Sequence, residues 1–155
     1  MKLCIFDVDG TLVETKSGAT FRKSADDWRW LPGRLEKLKG LVASGVSVAI
    51  ATNQGGVAFG YMKATDVLEE LMKMCREANI AGSNLHICFN HPNGTIPGYK
   101  RDDDMRKPGP GMLIEAMFDA GVDPDETLYV GDRPEDEKSA DAAQCHFIWA
   151  DDYFS

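Results

Sequence analysis

Asp7 and Asp9 close the apolar run "LCIF" with two carboxylates one valine apart, and two further acids, Asp132 and Asp136, follow a later apolar run, "TLYV". Residues two apart on an extended segment point the same way, so Asp7 and Asp9 address one reaction centre. Carboxylates that converge without cations repel one another. Asp7 and Asp132 are therefore expected to share a hard, oxygen-loving ion, with Asp9 adding its backbone carbonyl and Mg2+ as the expected metal. Asp136, one helical turn beyond Asp132, is placed to orient the waters of that ion. Thr52 can donate its hydroxyl to an anionic oxygen, and Lys107 can neutralise charge as it develops. Gly10 and Thr11 are expected to leave backbone N–H groups free to approach an anion, which a bulky residue at position 10 would hinder.

These residues are far apart in the chain, so the elements between them must bring them together. Apolar runs predict strands over 2–7, 46–52, 85–89, 127–130 and 145–149. Apolar residues at helical spacing predict helices over 33–44, from a Thr65–Asp66 cap to Asn79, from Pro110 to Gly121, and over 134–144. Regular alternation of strand and helix implies an α/β, Rossmann-like three-layer domain: a parallel sheet of about five strands, helices on both faces and right-handed crossovers. Ligands of such sheets bind outside the carboxyl ends of the strands, at a topological switch point. Asp7 and Asp9, Thr52 and Asn53, Lys107, and Asp132 and Asp136 all fall at that edge.

The whole chain bounds the alternatives. Its 155 residues suit one domain, and 43% hydrophobic with 27% charged residues is ordinary globular usage. No apolar run is long enough to span a bilayer and Met1–Cys4 does not read as a secretion signal, so a cytoplasmic protein without membrane contact is expected. Cys4, Cys75, Cys88 and Cys145 lack metal or redox spacing and read as buried thiols. The net charge of −8 argues against general coating of nucleic acid. Its distribution is uneven: residues 1–40 carry eight Lys and Arg against six acids, residues 113–155 two against twelve. The basic stretches 16–34 and 100–107 can still meet an anion.

Four segments in order, "DVDGT" at 7–11, "ATNQGG" at 51–56, "RKPGPGM" at 106–112 and "GDRPEDEKSA" at 131–140, resemble the four motifs of the haloacid dehalogenase (HAD) superfamily of phosphatases. The resemblance covers nearly the whole chain and implies a single HAD-like phosphatase domain over 1–155. Phosphate monoesters resist hydrolysis so strongly that enzymes reach accelerations up to about 10²¹ on them. The resemblance assigns Asp7 as the nucleophile that forms an aspartyl-phosphate, and Asp9 as the acid that protonates the leaving oxygen and then deprotonates water. It makes Thr52 and Lys107 catalytic, Gly10, Thr11, Asn53 and Arg106 substrate-binding, and Asp7, Asp9 and Asp132 the Mg2+ ligands.

Neither the flap-length stretch 10–30 nor the loop 90–107 is long enough for a folded cap domain, which resembles the capless group, subfamily III A-like. "TKSGATFRKSADDWRWLP" at 15–32 is similar to the flap of polynucleotide 3′-phosphatases, so the leading expectation is a nucleic-acid 3′-phosphate end as substrate. On that reading Arg22, Lys23 and Arg29 meet a phosphate backbone and Trp28 or Trp30 stacks on a base, unless the tryptophans pack the flap onto the body. "CFNHPNG" at 88–94 with "DDMRKP" at 103–108 instead resembles heptose-bisphosphate phosphatases, in which two Cys-containing pairs hold zinc. The corresponding Cys88, Asn90, Asp103 and Met105 are too poor in thiolate and imidazole, and no structural zinc is expected. The alternative substrate is therefore a small phosphorylated metabolite of the sugar-bisphosphate or histidinol-phosphate type, with Arg106 on a second anionic group. A non-enzymatic phospho-acceptor or phosphate-binding module uses similar groups, but a receiver domain carries its acids as an adjacent pair.

Overall fold

The computed structural model describes residues 1–155. Its centre is β1 (Leu3–Phe6), every residue of which is buried. An unbroken apolar run suits a strand covered on both faces, as parallel sheets are. β1 pairs in parallel with β4 (Ser47–Asn53) on one side and β6 (Thr127–Gly131) on the other. β5 (Leu85–Cys88) lies outside β4 and β7 (His146–Trp149) outside β6, giving the order β5-β4-β1-β6-β7.

The two-residue side-chain period divides the core between the faces. Cys4 and Phe6 join Val48, Ile50 and residues of α1 (Arg34–Ala43) and α2 (Ala64–Ala78). Leu3 and Ile5 join Ala49, Ala51, Tyr129 and residues of α3 (Gly111–Ala120) and α4 (Pro134–Ala143). The five-stranded α/β architecture expected from the alternation of elements is present. No helix is long and apolar enough to cross a membrane.

The register decides which residues meet at the sheet's edge. Phe6 lies opposite both Ile50 and Val130, so Asp7, Thr52 and Asp132 come one or two residues past one transverse line. The chain runs outward from β1 through β4 and β5, then returns to β6 on the other side of β1. That reversal is the switch point.

Three local features depart from the expected pattern. Thr65 and Asp66 lie inside the first turn of α2; Lys63 is the cap position and no side chain caps the helix. A short α5 (Ala150–Tyr153) follows β7, and Tyr153 and Phe154 close over Phe6 at ring-centroid distances of 5.6 and 5.9 Å. Within the stretch 10–30, β2 (Val13–Glu14) and β3 (Arg29–Trp30) form an antiparallel hairpin. Strands of two residues carry no readable period, which is why the sequence pattern passes over them.

Two sets of hydrogen bonds fasten this flap. The Asp27 carboxylate accepts from Ser17 N at 2.8 Å, Ser17 Oγ at 2.6 Å and Lys23 N at 3.0 Å. Trp28 Nε1 donates to Glu70 at 3.0 Å and Trp30 Nε1 to Glu77 at 3.4 Å, both acceptors on α2. The indoles meet edge-on at 5.7 Å, so packing of the flap onto the body is their observed use. The hydrogen bonds from the Lys23 and Ser17 segment hold the Asp27 carboxyl down at about 2. A lowered carboxyl stabilises the fold above the ordinary carboxylate range and ceases to do so as pH falls towards that value. Asp27→Asn is accordingly expected to speed proteolytic cleavage between residues 15 and 27 at neutral pH. Wild-type protein should show the same cleavage only as pH falls from about 4, the ordinary carboxylate value, towards about 2, where the folded carboxyl takes up its proton.

Candidate active site

Asp7 stands one residue past β1, and its N–H remains in the sheet, donating to Val130 O at 3.0 Å. Its Oδ1 receives Lys107 Nζ at 2.9 Å. Lys107 is 4% exposed although it comes from a loop, and its ammonium also reaches Asp136 Oδ1 at 2.7 Å, Tyr129 Oη at 2.7 Å and Ala51 O at 3.1 Å. Three N–H bonds thus face four acceptors. Burial works against the ammonium, but Asp7 and Asp136 outweigh it and hold Lys107 above its usual range. Burial, followed by the nearby carboxylates, keeps the Tyr129 hydroxyl protonated to well above the ordinary phenol range, so it can donate to Asp136 at 2.8 Å.

Asn53 places this lysine from the backbone side. Its amide accepts from Lys107 N and donates to Lys107 O, both at 3.0 Å. Asn53, expected to bind substrate, is here a clamp on the lysine loop. Asp136 also has a different use from the one expected: Lys107 and Tyr129 occupy Oδ1, while Asp132 N and Arg133 N, each at 3.1 Å, occupy Oδ2. Its oxygens anchor Lys107 and the start of α4.

The expected free N–H groups after the strand are likewise taken. Gly10 N donates to Val13 O at 2.9 Å and Thr11 N to Val8 O at 3.2 Å, closing the turn into the flap. Gly10 is required for another reason: its φ is +83°, and a Cβ there would lie 2.1 Å from Asp132 Oδ2. Thr11 contributes its hydroxyl, 3.3 Å from Asp132 Oδ1 and 3.5 Å from Asp7 Oδ2.

Asp7, Asp132 and Asp136 present carboxylate oxygens within 4.8 Å of one another. Burial pushes the Asp7 carboxyl well above the usual range; Lys107 pulls it down, while Asp136 and Asp132 push it further up. Three acids facing one ammonium are short of positive charge. The carboxylate oxygens of Asp7, Asp132 and Asp136 are donors of the kind that a hard divalent cation takes.

Thr52 is buried, and its hydroxyl oxygen accepts from Gln54 Nε2 at 2.9 Å, which leaves its own proton to donate outward. The same Gln54 amide reaches Asp9 Oδ2 at 3.1 Å. Asp9 Oδ1 receives Arg22 Nε at 2.9 Å. Gln54, Tyr129 and Arg22 are site residues that motif reading missed or misplaced. Gln54 was visible only as part of "ATNQGG"; a buried Tyr inside an apolar strand gives no polar signal at all.

Arg106 donates through Nη1 to Asn90 O at 3.3 Å, and desolvation lowers its guanidinium from the ordinary range. Cys88, Asn90, Asp103 and Met105 line one cavity, where Asn90 Nδ2 donates to Asp103 Oδ2 at 3.1 Å and Asp103 Oδ1 accepts from Met105 N at 2.9 Å. Burial raises the Cys88 thiol. On the flap, Arg29 pairs with Glu14 and Arg22 with Asp9. The expectation that Arg22, Arg29 and the tryptophans read a nucleic-acid strand therefore meets groups already engaged elsewhere.

A buried Asp–Lys–Asp cluster at the switch point of a five-stranded parallel sheet, with D-x-D at the end of its central strand, defines a HAD-type phosphatase fold. A family model described as polynucleotide kinase 3 phosphatase matches residues 2–155, and the chain belongs to that family. It is 36% identical over 118 residues to the D-glycero-β-D-manno-heptose-1,7-bisphosphate 7-phosphatase of Rhodopseudomonas palustris, covering 74% of this chain and 66% of that protein. The enzyme of the same name from Pasteurella multocida is 33% identical over 140 residues, covering 88% and 74%. Among solved structures, the D,D-heptose 1,7-bisphosphate phosphatase of B. bronchiseptica, complexed with magnesium and phosphate, superposes with a TM-score of 0.76 at 28% identity, covering 95% of this chain and 79% of that one.

The Lys107 cluster is testable by stability. Because four acceptors compete for three protons, Tyr129→Phe should cost only about 1 kcal/mol. Asp136→Ala removes one of the two carboxylates on a buried ammonium and frees the start of α4, and should cost more, about 2–3 kcal/mol. Urea unfolding of the two variants measures the difference.

Proposed function

We propose that this protein is a Mg2+-dependent phosphomonoester phosphatase acting on a small phosphorylated metabolite of the sugar-bisphosphate class. The observation that carries the reaction is the Lys107–Asp7 contact: a buried ammonium holds one oxygen of a strand-end carboxylate, leaving the other towards Thr11 and the acid cluster. Asp7 and Asp132 would hold the metal, which, when bound, neutralises the phosphate and the acids around it.

The chain's own groups then account for two displacements. Asp7 attacks phosphorus, the bond from phosphorus to the ester oxygen breaks, and Asp9 gives that oxygen a proton. Water next attacks the aspartyl-phosphate, Asp9 takes the water's proton, and cleavage of the P–O bond to Asp7 restores the carboxylate. Thr52 donates to a phosphoryl oxygen through the proton that Gln54 leaves free. Lys107 balances charge on Asp7 and the transferring group throughout.

The substrate class rests on two supports. The relatives cited above are named for heptose bisphosphates, and Arg106, half-buried with only a backbone carbonyl as hydrogen-bond partner, suits a second anionic group. A nucleic-acid 3′ end has weaker support: the engaged Trp28, Trp30, Arg22 and Arg29 leave Lys16, Lys23 and exposed Phe21 on the flap.

Purified protein with Mg2+ is expected to release phosphate from p-nitrophenyl phosphate, and EDTA to stop it reversibly. Asp7→Asn should lower kcat by at least about 10³-fold; turnover surviving that change would overturn the nucleophile assignment. A panel of heptose 1,7-bisphosphate, sugar monophosphates, histidinol phosphate and a 3′-phosphorylated oligonucleotide tests the substrate. The highest kcat/KM should fall on the bisphosphate, and Arg106→Ala should reduce that preference about tenfold. A preference for the oligonucleotide would replace the metabolite reading.

A further inference from the structure

Arg22 has a place that the reaction, as derived so far, does not use. It sits in the middle of the flap, yet its side chain is only 3% exposed, while that of Asp9, its partner, is 43% exposed. The buried partner of this pair is thus the long cationic side chain. Its Nε holds Asp9 Oδ1 at 2.9 Å, and Nη1 reaches back to Ala25 O at 3.4 Å. Nη2 is buried without a partner. Covalent geometry puts Nη2 on the same edge of the guanidinium as Nε, the edge turned to Asp9, where an arginine ordinarily grips both oxygens of a carboxylate. Here Oδ2 is held instead by Gln54, at 3.1 Å.

We propose that Arg22 is a positioning residue for Asp9, and that carrying it to Asp9 is a function of the flap. Arg22 and Gln54 each take one carboxylate oxygen, which stops rotation of the carboxylate plane and aims it at the leaving oxygen. Asp27 ties Ser17 to Lys23 across Arg22, and the two tryptophans fasten the end of the flap to α2, so the guanidinium arrives at Asp9 from a fixed frame. This proposal rests on the assignment of Asp9 as the proton donor.

The experiment measures kcat/KM of the full chain with Mg2+ on 2,4-dinitrophenyl, p-nitrophenyl and phenyl phosphate. These leaving groups need progressively more help from a proton donor. Arg22→Ala is expected to lose about tenfold more on phenyl than on dinitrophenyl phosphate. Arg22→Lys, which keeps one donor and the charge, should recover part of that difference. The double variant Asp9→Asn/Arg22→Ala should be no steeper in its dependence on leaving group than Asp9→Asn alone. Losses of equal size on all three esters, or additive losses in the double variant, overturn the proposal. If thermal melting shows that Arg22→Ala does not fold, Arg22→Lys and Gln54→Met, each expected to steepen the series relative to wild type, decide it. Absence of turnover of any ester by wild-type protein would instead refute the phosphatase reading, a result distinct from losses that are equal across the series.

Discussion

The buried ammonium of Lys107 is the contact on which the rest of the structure turns. It belongs to a loop, yet it lies inside the sheet's edge and joins Asp7, just past β1, to Ala51 of β4, Tyr129 of β6 and Asp136 of α4. An ammonium is withdrawn from water only where acceptors replace its hydration, because the desolvation cost is otherwise several kcal/mol. Here two carboxylates, a phenol and a carbonyl do so. The cost of that burial explains the care with which the loop is held: Asn53 fixes the lysine's backbone on both sides, and Asp136 fixes the lysine and the start of α4 together.

The same constraint sets the neighbouring residues. Gly10 and Gly131 border the acids because the space a Cβ would fill is occupied by Asp132 and Asp136, at 2.1 and 2.5 Å. Asp7 is buried among like charges with a single ammonium beside it, so the site is electrostatically incomplete without a further cation. The magnesium of the B. bronchiseptica enzyme is consistent with that reading.

The flap departs most from first appearance. Its composition, basic and aromatic, suggests a surface for nucleic acid. In the folded chain four of its conspicuous groups have partners within the protein: Trp28 with Glu70, Trp30 with Glu77, Arg22 with Asp9 and, at the surface, Arg29 with Glu14. The acceptors on α2 lie more than forty residues away and the Asp9 partner lies behind a turn, so no local pattern announces these pairs. Composition describes what a segment could bind when free; it does not describe what has already been bound.

Much of the fold was legible because it follows from short-range rules. Apolar runs of four to seven residues separated by amphipathic segments dictate a parallel α/β sheet, and motif order placed Asp7, Asp9, Thr52, Lys107 and Asp132 at one edge of it. What the sequence by itself determined was therefore the architecture and the kinds of groups brought to its edge. The tertiary structure alone decided their partners: that Gly10 and Thr11 spend their N–H groups on a turn, that Asn53 and Asp136 serve Lys107, that Tyr129 and Gln54 belong to the site, and that Arg22 faces inward. The physical reason is that secondary structure and strand-end placement arise from periodicity along the chain, whereas a hydrogen-bond partner is chosen by proximity across it, and proximity exists only after the chain has folded.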